Sequence, residues 1–187
     1  GIERNPVIDD PEIASFWEGL PQNLEKLENV IWAENPAKPG DFGWTMGGDG
    51  ISRVWHPGVN EEEKWGWAGA PDIVAEYKGK IVLGDLKTSN GPYYSKWPGP
   101  ETPKNQYGMR RAGFMKYQKC QLQLAAYALG LEHTVNIKPE LCMTFVATRE
   151  TVQVFAIQAG TIEKYKQKWL DTVEKYYSEI LPAQKAA

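Results

Sequence analysis

The stretch Gly69-Ala70-Pro71-Asp72-Ile73-Val74-Ala75-Glu76-Tyr77-Lys78-Gly79-Lys80-Ile81-Val82-Leu83-Gly84-Asp85-Leu86-Lys87-Thr88-Ser89 decides how the chain is read. Two apolar, β-branched runs, Ile73 to Tyr77 and Ile81 to Leu83, flank the turn-forming pair Lys78-Gly79, a hairpin pattern. With Lys78 and Gly79 as the loop, Tyr77 faces Lys80, Glu76 faces Ile81, and Asp72 falls opposite Asp85. Directly opposed side chains sit about 5 Å apart at Cβ, where like charges repel unless something positive lies between them. A divalent cation is the natural candidate. Strand side chains alternate, so Lys87 shares the face of Asp85, whereas Leu86 points into the other layer and leaves its carbonyl as a further oxygen ligand.

Hard oxygen ligands of this kind suit magnesium or manganese, which polarise a phosphate and lower the pKa of bound water, and an ammonium can orient that water or offset developing charge. An Asp-x-Lys triplet alone is common at strand ends, with a solvated lysine and a turn-capping aspartate. The opposed acid at the end of a buried apolar ribbon is what raises the phosphodiester-hydrolysis reading above that background.

Pro71-Asp72 followed by Asp85-Leu86-Lys87 resembles the signature of the PD-(D/E)xK nuclease superfamily, and Gln123-Leu-Ala-Ala-Tyr127 resembles the Gln-x-x-x-Tyr motif of its RecB-like exonuclease branch. Ile31-Trp-Ala-Glu34, Ala68 to Lys80, Asp85 to Ser89 and Gln123 to Tyr127 together are similar to the mitochondrial genome maintenance exonuclease family and its phage-encoded relatives. The resemblance implies an α/β fold, a mixed central sheet with an αβββαβ restriction-endonuclease-like core flanked by helices. It also implies that Asp72, Asp85 and the Leu86 carbonyl bind one or two Mg or Mn ions, that Lys87 positions or activates the attacking water, and that Gln123 and Tyr127 steady the site. Related nucleases carry a histidine in an upstream helix, and neither His56 nor His133 occupies such a place.

The chain has 187 residues, 42% of them hydrophobic, enough for one domain with its own core. We expect residues 1–28 to form an N-terminal helical part and 29–181 the catalytic core and C-terminal helix. The chain opens on Gly1 without methionine, which leaves room for residues upstream. The sequence has no bilayer-spanning apolar run and no signal pattern, so a soluble, intracellular monomer is expected, in a bacterial or phage-infected cytoplasm or alternatively a mitochondrion. Two cysteines, Cys120 and Cys142, are too few for a four-cysteine zinc site or iron-sulfur cluster and read as buried thiols. A net charge of −3 requires any nucleic-acid surface to be a local patch.

Asp9-Asp10-Pro11 starts a helix with Ile13, Phe16, Trp17 and Leu20 as its stripe and Pro21 as its end. A short helix over 22–28 then precedes a strand, Val30 to Glu34, where Glu34 is a secondary metal-site candidate or an exposed strand-end acid. Residues 35–63 read as loop with little regular structure, and its Trp44, Trp55 and His56 either pin it to the core or meet unpaired bases. The period of two in Trp65 and Trp67 suggests one packed face.

A second irregular stretch, 90–111, with Lys116 and Lys119 beyond it, is the most basic region, Glu101 being its only acid. Lys96, Trp97, Lys104, Arg110, Arg111, Lys116 and Lys119 interleave cations with aromatics, which suits single-stranded DNA or DNA ends. The alternative is a solvated loop. A helix over 112–131 is apolar from Leu122 to Leu129 except at Gln123 and Tyr127, one turn apart on one face. Leu141 to Thr148 and Val152 to Ile157 form a further hairpin. Gly160-Thr161 then caps a helix with the stripe Ile162, Tyr165, Trp169, Val173, Tyr176 and Ile180, ended by Pro182. These readings lead to a metal-dependent DNA exonuclease; the alternatives are a structure-specific endonuclease and a nucleic-acid-binding module that cleaves nothing.

Overall fold

A computed structural model describes residues 20–33, 52–57, 64–69 and 71–182. The helix expected over 9–20 falls almost wholly outside them, as do Glu34 and Trp44. The elements are α1 (Leu20–Leu24), β1 (Glu28–Ala33), β2 (Ser52–Pro57), β3 (Lys64–Gly69), β4 (Ile73–Tyr77), β5 (Lys80–Thr88), α2 (Lys104–Val135), β6 (Leu141–Ala147), β7 (Val152–Gln158) and α3 (Ala159–Lys175), followed by a π-helical turn, Tyr176–Ile180.

The β4–β5 hairpin is the centre of the architecture. Its register pairs Tyr77 with Lys80, Glu76 with Ile81 and Ile73 with Gly84. Lys78 (φ 52°) and Gly79 (φ 72°) both take left-handed backbone, the two-residue turn whose twist matches that of the strands. Around this hairpin the five-stranded sheet runs β1-β4-β5-β6-β7. β5 and β6 are parallel, joined by the crossover through α2, and the other pairs are antiparallel. The protein is therefore mixed α/β.

Alternation along the strands sorts side chains into two layers. Val74, Leu83, Cys142 and Ile157 pack with Leu124, Ala128 and Leu131 of α2 and Ile162 of α3. On the opposite face Val82, Leu141, Met143 and Phe145 pack with Leu20, Leu24 and Leu86. Gly84 lets the two strands of the hairpin close up, since a Cβ there would lie 2.4 Å from Ile73 Cγ2 on β4. Among the described residues no helix is long and apolar enough to cross a membrane.

Several boundaries differ from the sequence expectation. Pro21 lies inside α1 rather than ending a helix, in the first turn where a missing N–H costs no helical bond. Residues 52–57, expected as loop, form β2 and pair with β3 from Ser52↔Gly69 to Pro57↔Lys64, so backbone pairing overrides a glycine- and proline-rich neighbourhood. α2 starts at Lys104, behind Pro103, eight residues before the expected start, and continues past Gly108 and Gly113 to a left-handed Asn136 cap. α3 starts at Ala159 after an extended Gln158, one residue before the Gly160-Thr161 expected to cap it. Its buried stripe stops at Val173, because Tyr176 and Ile180 are exposed where the helix changes pitch.

Left-handed backbone costs a side chain about 1–2 kcal/mol unless it is Gly or Asn. We expect Gly79→Ala to lower stability by about 1 kcal/mol and Lys78→Asn to raise it by a few tenths, read from urea denaturation midpoints at constant slope.

Candidate active site at the open end of the β4–β5 hairpin

Beyond Ile73↔Gly84 the two strands stop pairing, and the candidate residues gather there. Continuing the register places Pro71 opposite Leu86 and Asp72 opposite Asp85. Odd-numbered residues of β5 and its end turn their backbone toward β6: Ile81 O accepts from Glu140 N, and Ser89 N donates to Ala147 O. Leu86 therefore presents both N–H and C=O to the β4 side. Its N–H donates to Asp72 Oδ2 at 2.6 Å. The ladder partner for its C=O would be the N–H of residue 71, and proline has none. Pro71 thus keeps the Leu86 carbonyl from being consumed by the sheet.

Asp85 is fully buried, on the α2-facing side of the sheet. Lys87 Nζ donates to Asp85 Oδ1 at 2.7 Å, while Asp85 Oδ2 has no partner among the described residues. Burial is the main influence on Asp85 and pushes its carboxyl up to about 6, against the opposing pull of Lys87 and with a smaller upward push from Asp72. Burial also works against the Lys87 ammonium, but the hydrogen bond and charge of Asp85, together with the charge of Asp72, outweigh it and raise its pKa above the ordinary value. Lys87 is accordingly a fixed cation at neutral pH, suited to orienting an anion or water rather than abstracting a proton.

The donor set is two carboxylates and one freed carbonyl. These are hard oxygens, and the unpartnered buried Oδ2 is the atom that a cation would satisfy, so the residues fit magnesium or manganese. Among the described residues no cluster of three or more His, Cys, Asp or Glu side chains gathers around them. His133 lies in the last turn of α2, and Glu34 lies outside the described residues.

Gln123 and Tyr127 stand on one flank of α2, and Gln123 Nε2 donates to Tyr127 Oη at 2.6 Å. They partner each other rather than an acid, a difference from the expectation that the carboxylates or a phosphate would satisfy them. Tyr127 nevertheless borders the site: burial raises its pKa against the pull of the Gln123 hydrogen bond, and the charges of Asp85, Lys87 and Asp72 act on it as well. Its ring lies over Gly69 so closely that a Cβ there would sit 2.4 Å from Tyr127 Cε1. Trp67 is held by α2 and α3, donating from Nε1 to Ala126 O and meeting Trp169 edge-on at 6.0 Å. The side chain of Trp65 lies outside the described ones.

The expected basic surface is partly assembled. The segment after β5 packs against α2 through three cation–ring contacts: Lys116 on Tyr93, Arg110 on Tyr94 and Arg111 on Trp97. It is not the solvated loop of the alternative reading. Pro92 O and the Tyr94 ring lie where a Cβ on Gly113 would be, so the glycine permits the contact. Lys116 Nζ also donates to Ser89 Oγ at 3.2 Å, just past Lys87. Trp97, 47% exposed, rests edge-on against Phe114. Lys96, Lys104 and Lys119 are exposed and take no part in these contacts. The sequence reading missed buried Cys120 as a neighbour of the site: burial pushes its thiol up to about 11, and Asp85 and Lys87 both act on it. Cys142 is buried as expected.

No family model matches the chain, and no curated protein matches it. Among solved structures, the crystal structure of SSO0001 aligns with a TM-score of 0.32 at 12% identity, over 64% of this chain. The alignment spans about half of that protein, 48% of its length.

Folding raises the pKa of Asp85 from 3.8 to about 6, so its contribution is fully present below pH 3.8 and is lost as pH rises through about 6. In chelator, Asp85→Asn should match the wild type near pH 4 and exceed it above pH 6 by on the order of 3 kcal/mol. Thermal or urea melts of both proteins across that window measure the difference.

Proposed function

We propose that this protein is a metal-dependent deoxyribonuclease of the PD-(D/E)xK, RecB-like kind that degrades DNA from single strands or free ends. The observation that carries the reading is Asp72, held on the Leu86 N–H, opposite the buried Asp85, whose one oxygen takes the Lys87 ammonium and whose other has no partner among the described residues, while Pro71 offers no N–H to the Leu86 carbonyl. A sheet that needed only stability would have closed that rung. A divalent cation held by Asp72, Asp85 and the Leu86 carbonyl would supply phosphate polarisation and a water acidic enough to attack near neutral pH. Lys87 holds positive charge where the phosphate's negative charge develops. The Gln123–Tyr127 pair braces the flank of α2 that borders this charge. Exposed Trp97 with Arg111 on its ring offers a base-stacking platform, and Lys116 a phosphate contact, which favours unpaired substrate.

The decisive experiment incubates end-labelled linear single-stranded DNA and a closed single-stranded circle with the protein in Mg²⁺, with chelator as control. Loss of the linear substrate with the circle intact is the expected result. Cutting of the circle would make the protein an endonuclease, and retention without loss of either would make it a binding module. Lys87→Ala should slow cleavage by about 10²–10³-fold while leaving binding of DNA in chelator within a few-fold.

A further inference from the structure

Three side chains in the layer between the sheet and α2 are polar, buried and unpartnered. Asp85 Oδ2, Thr144 Oγ1 and both amide atoms of Gln121 have no hydrogen-bond partner among the described residues, and the three residues are 0%, 0% and 1% exposed. A buried unpaired polar group costs about 1–3 kcal/mol, so three at one level of a packed layer call for a common explanation.

Their positions supply one. Asp85 and Thr144 are direct partners across the parallel β5–β6 pair and lie on the face covered by α2. In the row on one side, Leu83 and Cys142 pack with Leu124; in the row on the other, Val146 packs with Cys120. Gln121 stands between Cys120 and Leu124 along the helix, over the Asp85–Thr144 row. Tyr127 and Gln123 occupy the flank that meets Gly69, on the β4 side. At roughly 100° per residue, Gln121 occupies the opposite flank, above β6 and hence above Thr144.

The hydrogen-bonding capacities allow a chain that ends on the carboxylate. An ionised carboxylate accepts, a hydroxyl both accepts and donates, and an amide NH₂ donates. We infer that Gln121, Thr144 and Asp85 form a buried relay in which Gln121 Nε2 donates to Thr144 Oγ1 and Thr144 donates to Asp85 Oδ2. The oxygen keeps a second lone pair for a cation, so Thr144 and Gln121 act as positioning residues that fix the carboxylate plane.

The consequence for metal binding rests on the reading of Asp85 as a ligand, whereas the relay itself does not. Manganese binding to the full chain, followed by electron paramagnetic resonance, tests the first. Thr144→Val should weaken it about 10–100-fold, the range expected for losing an outer-shell partner. Thr144→Ser should restore it to within a few-fold, and Gln121→Leu should add nothing to Thr144→Val. Wild-type affinity in Thr144→Val, or failure of Thr144→Ser to rescue, overturns the positioning role. A metal-free measurement keeps the two ideas apart: the Thr144 hydroxyl proton should appear by NMR as a slowly exchanging signal that is lost in Asp85→Leu. If the wild type takes up no Mn²⁺ but shows that proton, the nuclease reading falls and the relay stands; no protected proton overturns the relay.

Discussion

The interaction on which the rest depends is the enforced closeness of Asp72 and Asp85. A two-residue turn fixes the register, and the register leaves the acids no choice of neighbour. Repulsion is offset locally: the Leu86 N–H takes one oxygen of Asp72, and the Lys87 ammonium takes one oxygen of Asp85. That compensation is incomplete, since the charged form of Asp85 is still disfavoured by burial. The apolar residues around it, Leu83, Val74 and Leu124, hold the strands and α2 rigidly enough that the acids cannot relax apart.

The long helix α2 serves both sides of this arrangement. Its C-terminal half is apolar and closes the core over β5 and β6, whereas its N-terminal half runs outward and carries Arg110, Arg111 and Lys116 on the aromatic segment that follows β5. A chain of net charge −3 thus gathers cations on the segment that follows the Asp85–Lys87 strand. The contacts with Tyr93, Tyr94 and Trp97 hold those cations in place without neutralising them, unlike pairing with carboxylates.

Legibility in the sequence followed the range of the interactions. The hairpin, its register and the layer assignment of Lys87 and Leu86 are local consequences of period two and a turn pair, so they could be read directly. The start of α2 could not: glycines at 108 and 113 and the prolines before 104 look like loop, and the docking of Tyr94 and Pro92 that makes room for a glycine at 113 is a long-range contact. The β2–β3 ribbon depends on pairing that composition conceals. Thr144 and Gln121 looked like ordinary strand and helix residues, because their significance comes from β6 lying beside β5 and α2 lying above both. Lys166 is similar: its buried ammonium, held by Glu132 of α2 at 2.5 Å and Glu163 at 2.8 Å, looks in sequence like one more solvated lysine on α3.

Pro71 gives the open hairpin end a further meaning. Any other residue at that position restores a backbone donor facing the Leu86 carbonyl, and the sheet could then zip one rung further. Such a chain would gain cohesion while engaging the Leu86 oxygen in the ladder. The imino acid therefore works as a stop in the zipper, trading a little sheet for a backbone oxygen that the ladder does not claim.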